Sequence, residues 1–151
     1  MKSILCSGRP YEIGFAHGAM GQEEVHASIQ TYQAMFADYA NLSWQEAQKR
    51  ALSYVEAITR FDAFLLEECK GIADGADVTL ADILALNMRS EVVTMPEALA
   101  DGCTSVAVLP EATKNGQTYL GQNWDWKASQ KKALLLLHIQ QNAPLRHITM
   151  V

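Results

Sequence analysis

The sequence lacks a long apolar run and a basic surplus, and both absences narrow what the protein can be. Its longest apolar stretch, Ala133 to Leu137, is far below the length that crosses a bilayer. The N-terminus offers a single lysine and the short patch Ile4-Leu5-Cys6, too small for the hydrophobic region of a secretory signal. Net charge is −5, so no positive face is set up for nucleic acid. Cysteine is scarce and odd in number: three thiols without an export signal predict free cysteines in a reducing compartment. His17, His26, His138 and His147 show no ligand spacing with those cysteines, so no metal site is expected. Internal repeats and low-complexity segments are also missing. These features predict a soluble cytoplasmic protein whose partners are small molecules or protein, with no nucleic acid and no membrane.

The 151 residues amount to about one domain, and 49% apolar composition suffices for an ordinary core. The first hundred residues carry helical text. Ser3 to Cys6 reads as a short strand, ended by Gly8-Arg9-Pro10. From Tyr11 to Asn41 apolar residues recur at spacings of three and four, with Gly14, Gly18 and Gly21 marking a bend or a split into two helices. Ser43-Trp44-Gln45-Glu46 has the form of a capping box and starts a helix expected to reach Arg60. Asp62 is placed to cap the next helix, ending near Gly75, and Thr79-Leu80-Ala81-Asp82 to start another. Pro96 and Gly102 then punctuate a loop.

After Gly102 the period changes to that of strands. Cys103 to Leu109 is short and valine-rich, Lys114-Asn115-Gly116 is a hairpin signal, and Gln117 to Asn123 is the return strand. Leu134 to Gln141 and Arg146 to Val151 read as a second pair around Asn142-Ala143-Pro144. The expected fold class is therefore α+β, a helical region over 1–102 followed by antiparallel strands over 103–151, both parts of one domain. The sequence stops at Ile148-Thr149-Met150-Val151, inside strand text, and a few such strands need a covering layer. The expectation is that the β-rich region is incomplete and the chain truncated.

Chemistry concentrates at Asp101-Gly102-Cys103-Thr104-Ser105. A thiolate at Cys103 can attack the Gly102 carbonyl, shift the acyl group from nitrogen to sulfur, and let water release a new N-terminus. Glycine suits the position before the nucleophile because it has no Cβ to block attack and tolerates strained angles. The freed cysteine then carries a thiol of ordinary pKa about 8.5 and an α-amine of about 7.7–8.0. That amine serves as base for its own side chain, so no histidine is required. If the strands pair through Asn115-Gly116, the register brings Gln122 to Asp125 near Cys103, and a carboxylate there can orient the α-ammonium.

The residues that carry these features also follow a family pattern. They are Ile4-Leu5-Cys6, Tyr11-Glu12-Ile13-Gly14 with His17-Gly18, Gly71-Ile72-Ala73 with Gly75-Ala76, and Asn87, Arg89 and Glu91. Asp101-Gly102-Cys103-Thr104 and Gly121-Gln122-Asn123-Trp124-Asp125 complete the set, in order along nearly the whole chain. In these the chain resembles the isopenicillin-N acyltransferase (acyl-coenzyme A:6-aminopenicillanic acid acyltransferase) family of N-terminal-nucleophile hydrolases. The resemblance implies an αββα sandwich made as a precursor, or zymogen, that cleaves itself between Gly102 and Cys103. The small helical chain and the larger catalytic chain stay together as a heterodimer.

The resemblance further implies Cys103 as nucleophile and Asp125 as the carboxylate beside it. It implies acyl transfer in penicillin-type antibiotic biosynthesis, from an amide or a coenzyme A thioester to an amine or water. No cofactor is called for, coenzyme A entering only as substrate. Arg89 and Glu91 match the pattern without an assigned role. The related bile-salt hydrolase and penicillin V acylase group carries its cysteine directly after the initiator methionine and usually has Arg in place of Gln122, so the internal cysteine favours the acyltransferase branch. Family members continue further and supply an oxyanion-hole asparagine, expected here beyond Val151. A peroxisomal address is expected if a longer C-terminus carries one.

Plainer readings stand beside this one. An isolated cysteine is more often a buried core residue, which is the expectation for Cys6 and Cys69; the flanking Asp-Gly and Asn-Trp-Asp text turns Cys103 toward nucleophile. Thr104, Trp124 and Trp126 are candidate pocket residues, the tryptophans serving equally as core. His17 reads as a helix-packing residue. A second functional reading is a non-catalytic fragment or pseudoenzyme acting as a binding or assembly partner. A third is an ordinary Cys-His thiol enzyme with His138 or His147 as base.

Overall fold

The computed structural model describes residues 1–92 and 103–142. They fall into two compact units, one holding residues 1–92 with 129–142 and the other residues 103–128. The architecture is α+β. Pro96 and Gly102, expected in a loop, and the strand expected over Arg146 to Val151 lie outside the described residues.

In the first unit, β1 (Lys2–Gly8) alternates exposed and buried residues and puts Ile4 and Cys6 into the interior. Helix α1 (Pro10–Met20) begins with proline at its first position, where no N–H is needed. The Glu12 carboxylate accepts hydrogen bonds from the Arg9 backbone N–H (2.7 Å) and guanidinium (3.0 Å). Gly21 separates α1 from α2 (Gln22–Ala40), whose buried Val25, Ile29, Tyr32, Met35 and Phe36 fall at helical spacing.

The split at Gly21 agrees with the sequence, but Gly14 and Gly18 do not interrupt the helix. They lie inside α1 against Gly71 and Gly75 of α4 (Val55–Ala76). A Cβ on Gly14 would strike the Glu68 carbonyl oxygen, and one on Gly18 the Ile72 carbonyl oxygen. One on Gly71 would strike the Tyr11 carbonyl oxygen, and one on Gly75 the Phe15 carbonyl oxygen. Backbone meets backbone along this seam, so hydrogen is the only side chain that fits. Tyr11 clamps one end, its hydroxyl donating to Asp74 at 2.8 Å.

Helix α3 (Trp44–Leu52) begins at the expected capping box: Ser43 Oγ accepts from Glu46 N (3.3 Å) and Glu46 Oε2 accepts from Ser43 N (3.0 Å). It stops at Leu52 rather than Arg60, because the chain turns at Ser53 and Tyr54, whose amides bond back to Arg50 and Ala51. Asp62 adopts extended angles (φ −160°, ψ 110°) within α4, and its carboxylate accepts from Phe64 N at 2.8 Å, capping the second half as expected. Helix α4 ends with Asp77 in the left-handed region. Helix α5 (Leu80–Asn87) starts at Thr79 and Asp82, again a capping box. The short α6 follows at Arg89–Val92.

Asp82 also ties α5 to α3, accepting from Trp44 Nε1 (2.6 Å) and Gln48 Nε2 (2.7 Å). Arg89 bonds the Leu86 carbonyl at the end of α5 (3.3 Å) and lies 5.7 Å from the Tyr32 ring centroid. Arg89 thereby acquires a packing role.

Strand β4 (Leu135–Gln141) forms where expected; its expected partner, Arg146 to Val151, lies outside the described residues. Strand β4 pairs with β1 in parallel, Lys2 opposite Leu135 through Gly8 opposite Gln141. This parallel pair adds to the antiparallel strands expected after Gly102. Both strands offer alternating apolar faces, and the intervening helices supply the long crossover that a parallel pair requires. Ile4, Cys6, Ile13, Leu135, Leu137 and Ile139 form one core cluster beneath this ladder. No helix among the described residues is long and apolar enough to cross a membrane.

The second unit is a hairpin of β2 (Thr104–Val108) and β3 (Tyr119–Asn123), antiparallel with Thr104 opposite Asn123 and Val108 opposite Tyr119. The pairing is the expected one, but the turn is not a tight two-residue one. The connection from Leu109 to Thr118 contains a 3-10 turn at Pro110–Ala112, with Gly116 alone at positive φ (64°). Every residue of β3 is exposed.

Candidate active site

Cys103 stands at the head of β2, immediately before the Thr104–Asn123 pair, and its side chain is exposed. Carrying the strand alternation back one residue puts it on the face of Ser105 and Gln122, while Thr104 lies on the opposite face with Asn123. The same register carried forward sets Trp124 across from Cys103, with Asp125 one residue on. The hairpin thus brings Gln122, Trp124 and Asp125 to the end of the ribbon where Cys103 begins. Thr104 is adjacent in sequence but belongs to the other face. Gly102 lies outside the described residues.

The tryptophans stack, their ring centroids 6.2 Å apart and planes at 12°. Trp124 is exposed and Trp126 half-buried. Trp126 Nε1 is a buried donor without a hydrogen-bond partner among the described residues. A buried indole N–H left open costs about 1–3 kcal/mol, which makes it a ready donor to a carbonyl or carboxylate oxygen. The sequence marks Trp126 as a core or pocket residue; its unmet donor is a tertiary property with no sequence signal.

The other thiols are unsuited to nucleophilic work. Cys6 is fully buried, and burial, with the charge of Glu68, raises its pKa. Cys69 is pushed up to about 11 by burial, again with Glu68 adding to the effect. The thiolate is the reactive form, and of the three thiols only Cys103 is exposed. His17 lies on α1, where burial lowers its pKa and favours the neutral ring. His138 is exposed on β4 in the first unit, and His147 lies outside the described residues. Among the described residues no group of three or more His, Cys, Asp or Glu is placed to hold a metal ion. Glu91 is exposed on α6.

No protein-family model matches the chain. Over 141 residues, 93% of its length, it is 30% identical to the acyl-coenzyme A:6-aminopenicillanic-acid-acyltransferase 40 kDa form of Emericella nidulans. It spans 38% of the length of that curated relative. This similarity, which takes in nearly all its residues, supports a place for the chain in the acyl-coenzyme A:6-aminopenicillanic-acid acyltransferase family.

Proposed function

We propose that the chain carries the self-processing and acyl-transfer centre of a cysteine N-terminal-nucleophile enzyme, within an αββα sandwich completed by a longer protein. The observation that carries this reading is the exposed Cys103 at the head of a hairpin whose return strand ends in Asn123-Trp124-Asp125. In the maturation step the Cys103 thiolate attacks the Gly102 carbonyl carbon. The C–S bond forms, the Gly102–Cys103 C–N bond breaks, and the nitrogen takes up a proton. Water then hydrolyses the thioester, leaving a Gly102 carboxylate, a free thiol and a free α-amine on Cys103.

In turnover the α-amine accepts the thiol proton while sulfur attacks an amide or coenzyme A thioester, expelling the amine or the coenzyme A thiol. An amine or water then takes the acyl group and regenerates the thiol. Asp125 holds the α-ammonium and favours its charge. Trp124 and Trp126 form a flat wall for the acyl group, Trp126 Nε1 donating to an oxygen of the substrate, and Thr104 flanks the nucleophile. The oxyanion hole needs a further donor, an asparagine from beyond Val151; one such donor is worth about 10²–10³ in rate. The substrate is a small-molecule amide or acyl thioester of antibiotic biosynthesis, and the protein partner is the severed leader.

A non-catalytic assembly role is favoured by one feature, the uncovered hairpin. Intact-mass analysis separates the readings. Self-processing yields two pieces, the second starting at Cys103, with combined mass one water above the precursor, and Cys103→Ala stays whole. Turnover of an amide or thioester with the 102–103 bond intact would refute the self-processing mechanism. Complete inertness of the full-length protein would leave the assembly role.

A further inference from the structure

We propose that the β1–β4 ladder is the seam that retains the severed leader, so that its partner surface is a strand of alternating apolar residues from the catalytic piece. This rests on the cleavage proposed at Gly102–Cys103. A cut there does not fall between the two compact units: it divides the first, because residues 129–142 fold with the leader. Everything that joins β4 to the helical part therefore becomes a contact between separate chains.

Those contacts are extensive and apolar. The ladder registers Lys2 through Gly8 against Leu135 through Gln141, and Asn142 N donates to Gly8 O at 3.1 Å beyond its end. The shared core takes Ile4, Cys6 and Ile13 from the leader and Leu135, Leu137 and Ile139 from the other piece. Gly21 leaves room for Leu135, whose Cδ1 would sit 2.8 Å from any Cβ at that position. Buried Gln130 adds a polar peg, its Oε1 accepting from Ser28 Oγ at 3.3 Å. Apart from this peg, the named contacts are backbone hydrogen bonds and apolar packing. Association held in this way persists in high salt, unlike one held by surface charge.

The test uses a Cys103→Ala chain with a specific protease sequence inserted after Gly102, so the cut is made at will and does not depend on self-processing. After cutting, the pieces should co-elute on gel filtration from low to molar salt. Leu137→Ala, which removes a side chain that is 2% exposed, should weaken the complex about a hundredfold or more. His138→Ala, on the exposed face of the same strand, should change it by no more than a few-fold. If Leu137→Ala prevents folding, amide exchange in the cut parent decides: protection of Ile4 to Gly8 should match the uncut chain. Pieces that separate without denaturant, or β1 amides that lose protection on cutting, would overturn the proposal. Failure of the protein with Cys103 intact to cut itself would instead count against the function proposed above.

Discussion

Replacing Gly71 by alanine tests the seam between α1 and α4 most directly. A Cβ there would strike the Tyr11 carbonyl oxygen and sit 2.7 Å from Phe15 N and 3.0 Å from Gly14 C. All are backbone atoms, so no rotamer change relieves the overlap, and ordinary Cβ contacts lie at 3.4–4 Å. The helices must move apart and lose contacts along their length. Overpacking costs about 1–3 kcal/mol, and because all three contacts are to backbone this site falls in the upper part of that range, about 2–3 kcal/mol, against which alanine returns about 1 kcal/mol of helix propensity.

 The propensity gain is the ordinary difference of about 1 kcal/mol between alanine and glycine inside a helix. The net expectation is a loss of about 1–2 kcal/mol, or roughly 2–8 °C in melting temperature for a chain of this size. Urea unfolding followed by far-ultraviolet circular dichroism measures it. Ala57→Gly, at an exposed position of α4, serves as the control and should lose only the propensity difference. Gly14→Ala combined with Gly71→Ala should cost less than the sum, since the first substitution already parts the helices. A Gly71→Ala chain as stable as the parent would refute the backbone-to-backbone seam.

Asp82→Ala should lower stability by about 1–3 kcal/mol, because Trp44 Nε1, Gln48 Nε2 and the first turn of α5 lose their acceptor. Burial opposes ionisation of Asp82, but hydrogen bonds from Thr79, Trp44 and Gln48 outweigh it and lower its pKa. Its stabilisation is therefore complete above the ordinary carboxylate pKa and lost as pH falls through the lowered folded value; denaturant midpoints against pH should show that acid slope, reduced in Asp82→Asn. His17 has its pKa lowered by burial, so the unfolded chain binds the proton better and stability should fall as pH drops through about 6.5. His17→Gln should flatten the curve in that window, and an unchanged curve would show that the ring titrates freely in the fold. Brief iodoacetamide treatment at mildly alkaline pH should label Cys103 well before Cys69 or Cys6, read by peptide mass, given their burial and raised pKa values.

Local features were legible in the sequence because their causes are local. The Ser43–Glu46 and Thr79–Asp82 boxes and the Asp62 cap each depend on side chains within three residues of the backbone groups they satisfy. The β2–β3 pairing was legible for the same reason, although the loop between the strands is longer than Asn115-Gly116 alone suggests. Gly14 and Gly18 were read as breaks because glycine text reports a local weakness; what packs against it is decided by α4, more than fifty residues on. The parallel union of β1 with β4 was hidden in the same way, since alternation marks a strand but not its neighbour. At the candidate site, Cys103 and the end of its return strand were visible as text, whereas the open donor on Trp126 depends on burial.

The ladder between β1 and β4 also sets an order of events during synthesis. Lys2 precedes its partner, Leu135, by more than a hundred residues. The helices can form while the chain is still emerging, but β1 keeps this edge open until the intervening helices and the β2–β3 hairpin have been made. Contacts so distant in sequence close late. A bond at 102–103 broken before that moment would release an unanchored leader, so a chain that cuts itself gains by folding its last described strand first.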